Sequence, residues 1–285
     1  DSKNNWTLFR KPLLNLIDMA RLNVIACIQA RMGSTRLPNK ALMNLAGKTP
    51  IEWIVERLES SKEIDQVVLA TSNEPENDAL IGEAERLGID WVREKDETDL
   101  VSRFLNACQK FDADAFVRVT ADCPLVDAGL VDSLVRTYRE NPSAFDALTN
   151  TVPPTFPDGS DLDLITRATL ERLNNEIPSG DVHREWMTPY LYKKDNGFRI
   201  FTLTSDRPLE GYRITLDYPE DFELIRNVLE HFGERYSSLA ELIEYLDNHP
   251  EVRDLVNNRI DATLVQSSNQ RSGAYQKLID EQKSV

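Results

Sequence analysis

Between Asn23 and Glu140 the chain alternates four times between a short apolar run and a helical segment, and few folds accept that pattern. Val24–Ile28 reads as a buried parallel strand. Thr49 then caps a helix that opens on Pro50 and runs to about Ser60, with Trp53, Ile54 and Leu58 apolar. Gln66–Ala70 is a second strand, and Glu76–Leu87 a helix closed by Gly88. Asp90–Arg93 is a short strand and Asp99–Phe111 a helix; Ala115–Thr120 and Asp127–Glu140 form the fourth pair. Repeats of this kind predict an α/β fold, a doubly wound and mostly parallel sheet with helices on both faces, whose ligand sits at the strands' carboxyl ends.

The first strand ends in a loop of unusual chemistry. Residues 29–40 read QARMGSTRLPNK, with one glycine, two hydroxyls, Arg31, Arg36 and Lys40. Gly33 lets backbone N–H groups approach phosphate oxygens, and Arg31 and Lys40 can neutralise charge during transfer. The plain alternative is an ordinary loop with solvated cations. Net charge decides for phosphate: so dense a basic cluster stands out in a chain of formal charge −15. Gly47-Lys48-Thr49 imitates the end of a Walker A loop, but its first glycine would fall at Leu42, so that reading fails.

Two carboxylates complete the pattern. Strand four runs FVRVT into Ala121-Asp122-Cys123-Pro124, and Tyr212–Leu216 reads as a further β run ending at Asp217. Taken singly, Asp122 is a turn residue before proline and Asp217 a helix N-cap ahead of Pro219. Two carboxylates at two strand ends, opposite a basic loop, are what a hard divalent cation bridging nucleotide phosphates requires.

Composition narrows the partners. The acidic balance argues against nucleic acid and against an anionic membrane surface. No apolar run approaches the roughly 20 residues that span a bilayer. Cys27, Cys108 and Cys123 are scattered and odd in number, as expected of a reduced cytoplasmic protein. Cys123 reads as a small buried thiol rather than a reactive one. His183, His231 and His249 have no metal-ligand spacing, so zinc is not expected. Residues 1–22 read as a leader or linker outside the fold, with Met19 a natural start, and residues 266–285 as a polar tail. The main domain is then 23–265, with an insertion at about 151–205.

The order I-Q-A-R-M-G-S-T-R-L-P-N-K, V-T-A-D-C-P-L-V, L-D-Y-P-E-D resembles the cytidylyltransferase superfamily that activates sugar acids. Within it the chain most resembles the group named after spore coat polysaccharide biosynthesis protein F. Asn39 departs from the pattern, standing where a glycine commonly precedes the lysine. The resemblance implies a nucleotidylyltransferase that moves CMP from CTP, or another NTP, to a sugar or sugar-acid precursor of a surface glycan. Ala30 and Arg31 would line the pyrimidine and triphosphate; Gly33, Ser34 and Arg36 the phosphates; Lys40 the α- or β-phosphate; Thr71 and Ser72 the base or ribose. Asp122 and Asp217 would hold Mg²⁺. On the acceptor side Asp158, Asp161, His183 and Glu185 would bind hydroxyls or an amino group, and Arg118 a carboxylate or phosphate, with a solvated polar loop as the alternative. Relatives pair through an insertion here, so a homodimer is expected between Ser160 and Thr204, where Trp186, Met187, Tyr190, Leu191 and Tyr192 precede Phe198, Ile200, Phe201 and Leu203. Two other readings compete. One is a glycosyltransferase using Asp161-Leu162-Asp163 as a D-x-D motif; the other is a non-catalytic nucleotide-binding module.

Overall fold

A computed structural model describes residues 21–193, 195–233 and 238–258; the expected leader up to residue 20 and the tail at 266–285 lie outside the described residues. The first repeats form as the sequence dictates. β1 (Val24–Gln29) is followed by α1 (Pro50–Glu59), where the Thr49 side chain accepts from Glu52 N–H and Pro50 opens the helix. β2 (Gln66–Ser72) leads to α2 (Asp78–Leu87), which Gly88 ends in a left-handed conformation. β3 (Asp90–Glu94), α3 (Leu100–Lys110), β4 (Ala115–Thr120) and α4 (Ala128–Glu140) follow, the two helices capped by Asp99 and Asp127. The remainder supplies β5 (Ala147–Thr149), β6 (Asp163–Thr166), α5 (Arg167–Glu176), α6 (Met187–Leu191), β7 (Ile200–Thr202), α7 (Pro219–Phe232) and α8 (Leu239–Asn248).

Among the described residues the strands form one sheet in the order β3-β2-β1-β4-β6-β5-β7. β1 pairs in parallel with β2 and β4, and β2 with β3, while β6 runs antiparallel to both β4 and β5. Side-chain alternation along β1 splits the core into two layers. Val24, Ala26 and Ile28 pack with α1, α2 and α4, whereas Ile25 and Cys27 pack with α3, α5 and α6. Covered on both faces, β1 needs no polar alternation, which explains its continuous apolar run. A third cluster joins α7 and α8 to Leu37 and Leu125, from the loops after β1 and β4. That contact brings the C-terminal helices against the carboxyl edge of the sheet.

Leu22, just ahead of the expected start at Asn23, packs against the first core layer, and its carbonyl accepts from Arg139. Tyr212–Leu216 is no strand of the sheet. It is an extended segment with one isolated bridge, Arg213 to Asp158. Its apolar residues Ile214 and Leu216 are buried in the third cluster, so burial rather than ladder pairing accounts for the β-like pattern. Among the described residues, no helix is long and apolar enough to cross a membrane.

Candidate functional site

The loop after β1 folds over the carboxyl edge of the sheet and is held from behind. Met32 N–H donates to Asn77 Oδ1 at 2.8 Å, and Asn77 Nδ2 donates to Ser72 Oγ at 2.7 Å. Asn39 has φ 58° and ψ 18°, the left-handed region that asparagine tolerates better than most residues, so it serves where a glycine was expected. The next residue, Lys40, begins a short helical turn and points inward.

Two carboxylates converge on Lys40. Its Nζ lies 2.9 Å from Asp122 Oδ2 and 2.9 Å from Asp217 Oδ1. Asp122 sits in the turn after β4, and its carbonyl accepts from Leu216 N–H at 2.8 Å and from Thr215 Oγ1 at 3.2 Å. Those two bonds stitch residues 215–216 beside Asp122 and so deliver Asp217. Neither aspartate ends a strand, as the sequence had suggested, and Asp217 does not cap α7. Asp221 accepts the N–H groups of Asp217 and Tyr218 instead, leaving the Asp217 side chain to meet Lys40 and Arg36, the latter at 2.8 Å.

Electrostatics match this geometry. Burial alone would press the Lys40 ammonium down, but Asp122 and Asp217 outweigh it and hold its pKa above the ordinary lysine value. Burial would likewise raise Asp122, yet Lys40 and the Thr120 hydroxyl (2.5 Å) keep that carboxyl below its usual range. Cys123, beside it, is buried, and its thiol is pushed well above the ordinary value by burial and by Asp122, which makes it a poor nucleophile.

A cavity of about 820 Å³ opens in front of this group. Ala30, Arg31, Gly33, Ser34, Arg36 and Lys40 line it, together with Asp122, Arg118, Asp161 and Glu185. Four expected site residues lie elsewhere. Thr71 and Ser72 are fully buried, and Ser72 serves the loop through Asn77 rather than facing a ligand. Asp158 turns away to Arg213 at 2.6 Å, and His183 Nδ1 lies 2.7 Å from Asp181. Asp217 does not line the wall and meets the cavity through its contacts with Arg36 and Lys40.

On another wall of the cavity Arg118 is fixed by Gln29 at 2.7 Å and by Asp163 at 3.1 Å. Asp163 also accepts from Thr149 at 2.8 Å and from the Tyr192 hydroxyl. With so many donors on a 2% exposed carboxylate, Asp163 is poorly placed to ligate a metal, which counts against the D-x-D reading. Much of the aromatic stretch serves the chain's own core: Met187 and Leu191 are buried there, with Tyr190, Tyr192, Phe198 and Ile200 packed against them. Trp186 is different, 46% exposed and lining the cavity.

Sequence reasoning gives no site role to Asn77, Gln29, Tyr192, Asp221 or Arg213. Gln29 and Asp221 stand inside two of the sequence motifs, Tyr192 is read for the dimer contact, and Arg213 stands as a charge in the β run Tyr212–Leu216. For a cation, the donor set offers two carboxylates already drawn to a single positive point. Among the described residues no group of three or more His, Cys, Asp or Glu side chains is arranged to hold a metal ion, so a hard ion held here would complete its shell with phosphate oxygens or water.

Known proteins resemble the chain in sequence and in fold. A family model described as cytidylyltransferase matches residues 25–248. An uncharacterized protein of Methanocaldococcus jannaschii is 31% identical over 239 residues, covering 83% of this chain and 96% of the relative. The spore coat polysaccharide biosynthesis protein SpsF of Bacillus subtilis is 28% identical over 236 residues, covering 80% and 96%. The solved structure of a cytidylyltransferase from Leptospira borgpetersenii serovar Hardjo-bovis superimposes with a TM-score of 0.77 at 32% identity, covering 81% of this chain and 97% of that one.

Proposed function

The chain belongs to the cytidylyltransferase family, and from that premise we propose that it transfers CMP from CTP to an oxygen of a sugar or sugar-acid acceptor in surface polysaccharide synthesis. The observation that carries the reading is Lys40 held at 2.9 Å from both Asp122 and Asp217 at the edge of a basic loop. In the reaction the acceptor oxygen forms a bond to the α-phosphorus, the bond to the β-phosphate bridging oxygen breaks, and pyrophosphate leaves in line. Arg31, Arg36 and the backbone around Gly33 and Ser34 grip the triphosphate, so that the leaving group's charge is neutralised where it develops. Lys40 supplies a fixed positive charge at the transferring phosphate. A divalent cation, Mg²⁺ in this reading, would be held by Asp122 and Asp217 and would neutralise phosphate oxygens and acidify the attacking hydroxyl. Arg118, Asp161 and Glu185 orient the acceptor from the opposite wall, the arginine against its anionic group.

The test is pyrophosphate release with Mg²⁺, each of the four NTPs, and a panel of keto-sugar acids and sugar phosphates. Turnover with CTP and one acceptor class is expected; a preference for UTP or GTP would overturn the nucleotide assignment. The protein is further read as a cytoplasmic homodimer, with the exposed Trp186 near its contact. Light scattering at micromolar concentration checks this, since a mass near 32.5 kDa would leave a monomer, and Trp186→Glu should split a dimer that uses this surface.

A further inference from the structure

Behind Asp217 lies a charged group that the phosphate chemistry leaves unused. Arg213 is 4% exposed, and its guanidinium faces three carboxylates. Nε and Nη2 donate to the two oxygens of Asp221, each at 2.8 Å. Nη1 donates to Asp158 Oδ2 at 2.6 Å, and Nη2 lies 3.5 Å from Asp217 Oδ2. Asp221, itself 1% exposed, accepts the Asp217 N–H at 2.8 Å. Arg213 therefore holds Asp217 twice, at its side chain and, through Asp221, at its backbone. Asp158 reaches the same arginine because Gly159 passes close over the neighbouring chain: a Cβ there would stand 2.4 Å from Thr215 N.

The two oxygens of Asp217 are thus divided. Oδ2 faces the buried arginine, and Oδ1 faces Lys40 and Arg36 at the cavity edge. Burying one cation among three carboxylates costs desolvation that an apolar plug would avoid. Aiming a carboxylate with fixed polar partners is the return that such a cluster gives.

We propose that Arg213 is a positioning residue for the cation site: it presents Asp217 as a single-oxygen ligand through Oδ1 and locks that carboxylate to residues 157–163 through Asp158. This rests on the reading of Asp217 as a cation ligand. The backbone of Asp217 is tethered before any ligand arrives, so the inference concerns binding of the ion rather than the chemical step.

The experiment measures Mn²⁺ binding to the full chain by the spin-resonance signal of free Mn²⁺, with CTP present, and CTP binding by calorimetry without metal. Arg213→Lys keeps the charge and loses the fork; Asp221→Asn keeps the shape and removes the charged link, and serves if the first variant does not fold. Either folded variant should weaken Mn²⁺ binding about 10- to 100-fold while metal-free CTP binding changes less than about twofold. Asp217→Asn calibrates the result. If it binds Mn²⁺ as the parent does, the cation reading falls and this proposal with it. If it weakens Mn²⁺ while folded Arg213→Lys and Asp221→Asn bind as tightly as the parent, the positioning role alone is overturned.

Discussion

Replacing Lys40 by methionine separates its two carboxylates from their shared cation and should read out in stability before any turnover is measured. The Lys40 side chain is 12% exposed, Asp122 27% and Asp217 13%. Asp217 keeps Arg36 at 2.8 Å and Arg213 at 3.5 Å, so it stays compensated. Asp122 keeps the Thr120 hydroxyl but loses its ion pair with Lys40. An ionised group stripped of its partner costs about 1–3 kcal/mol, more when fully buried; partial exposure of Asp122 puts the expected loss near 2 kcal/mol at pH 7. The sign with pH follows from Asp122, whose pKa is depressed in the folded state. Its pairing stabilises fully above the unfolded carboxylate value of about 3.9 and is lost as pH falls through the lower folded value. The gap between parent and Lys40→Met should therefore hold from neutral pH to about pH 4 and close below it. At the alkaline end the raised Lys40 pKa keeps the gap open through the ordinary lysine value, and it closes only as pH passes the folded one. Urea unfolding followed by tryptophan fluorescence measures it. Mg²⁺ supplies the second arm, because in the variant a cation no longer displaces an ammonium and should stabilise it more than the parent. A variant within about 0.5 kcal/mol of the parent, or equal stabilisation of both by Mg²⁺, would refute the reasoning.

Asp122→Asn and Asp217→Asn should each keep the fold and lose about 100-fold or more of Mg²⁺-dependent pyrophosphate release, since each removes a charged ligand; near-normal turnover in either would remove that residue from the cation's shell. Asn77→Ala should cost about 1–3 kcal/mol in urea unfolding and weaken CTP binding, because Met32 N–H and Ser72 lose their shared partner; unchanged calorimetric CTP affinity would show that the loop is held by other means. Gly159→Ala should destabilise by about 3 kcal/mol or more, as φ is +103° and the new Cβ meets Thr215 N at 2.4 Å; an unaltered melting temperature would contradict that close approach. Cys123 should resist iodoacetamide in the folded protein and react on unfolding, since burial and Asp122 hold its thiol well above the ordinary value.

Local signals carried the sheet. Val24–Ile28 is apolar throughout because it is buried on both faces, Thr49-Pro50 opens α1, and Gly88 ends α2 in the conformation only glycine adopts freely. These signals lie within a few residues of one another, so the sequence by itself determined them. Tertiary structure decided whatever depends on chain segments far apart. Asp122 and Asp217 meet because Leu216 N–H and Thr215 Oγ1 bond the Asp122 carbonyl across more than ninety residues, an encounter no periodicity records. Arg213 is only one residue of a β run in the sequence, and the fold surrounds it with Asp158, Asp217 and Asp221. Thr71 and Ser72 went the other way: they end β2 near the site but are fully buried, and only that burial shows the Ser72 hydroxyl bracing a loop through Asn77 rather than meeting a ligand.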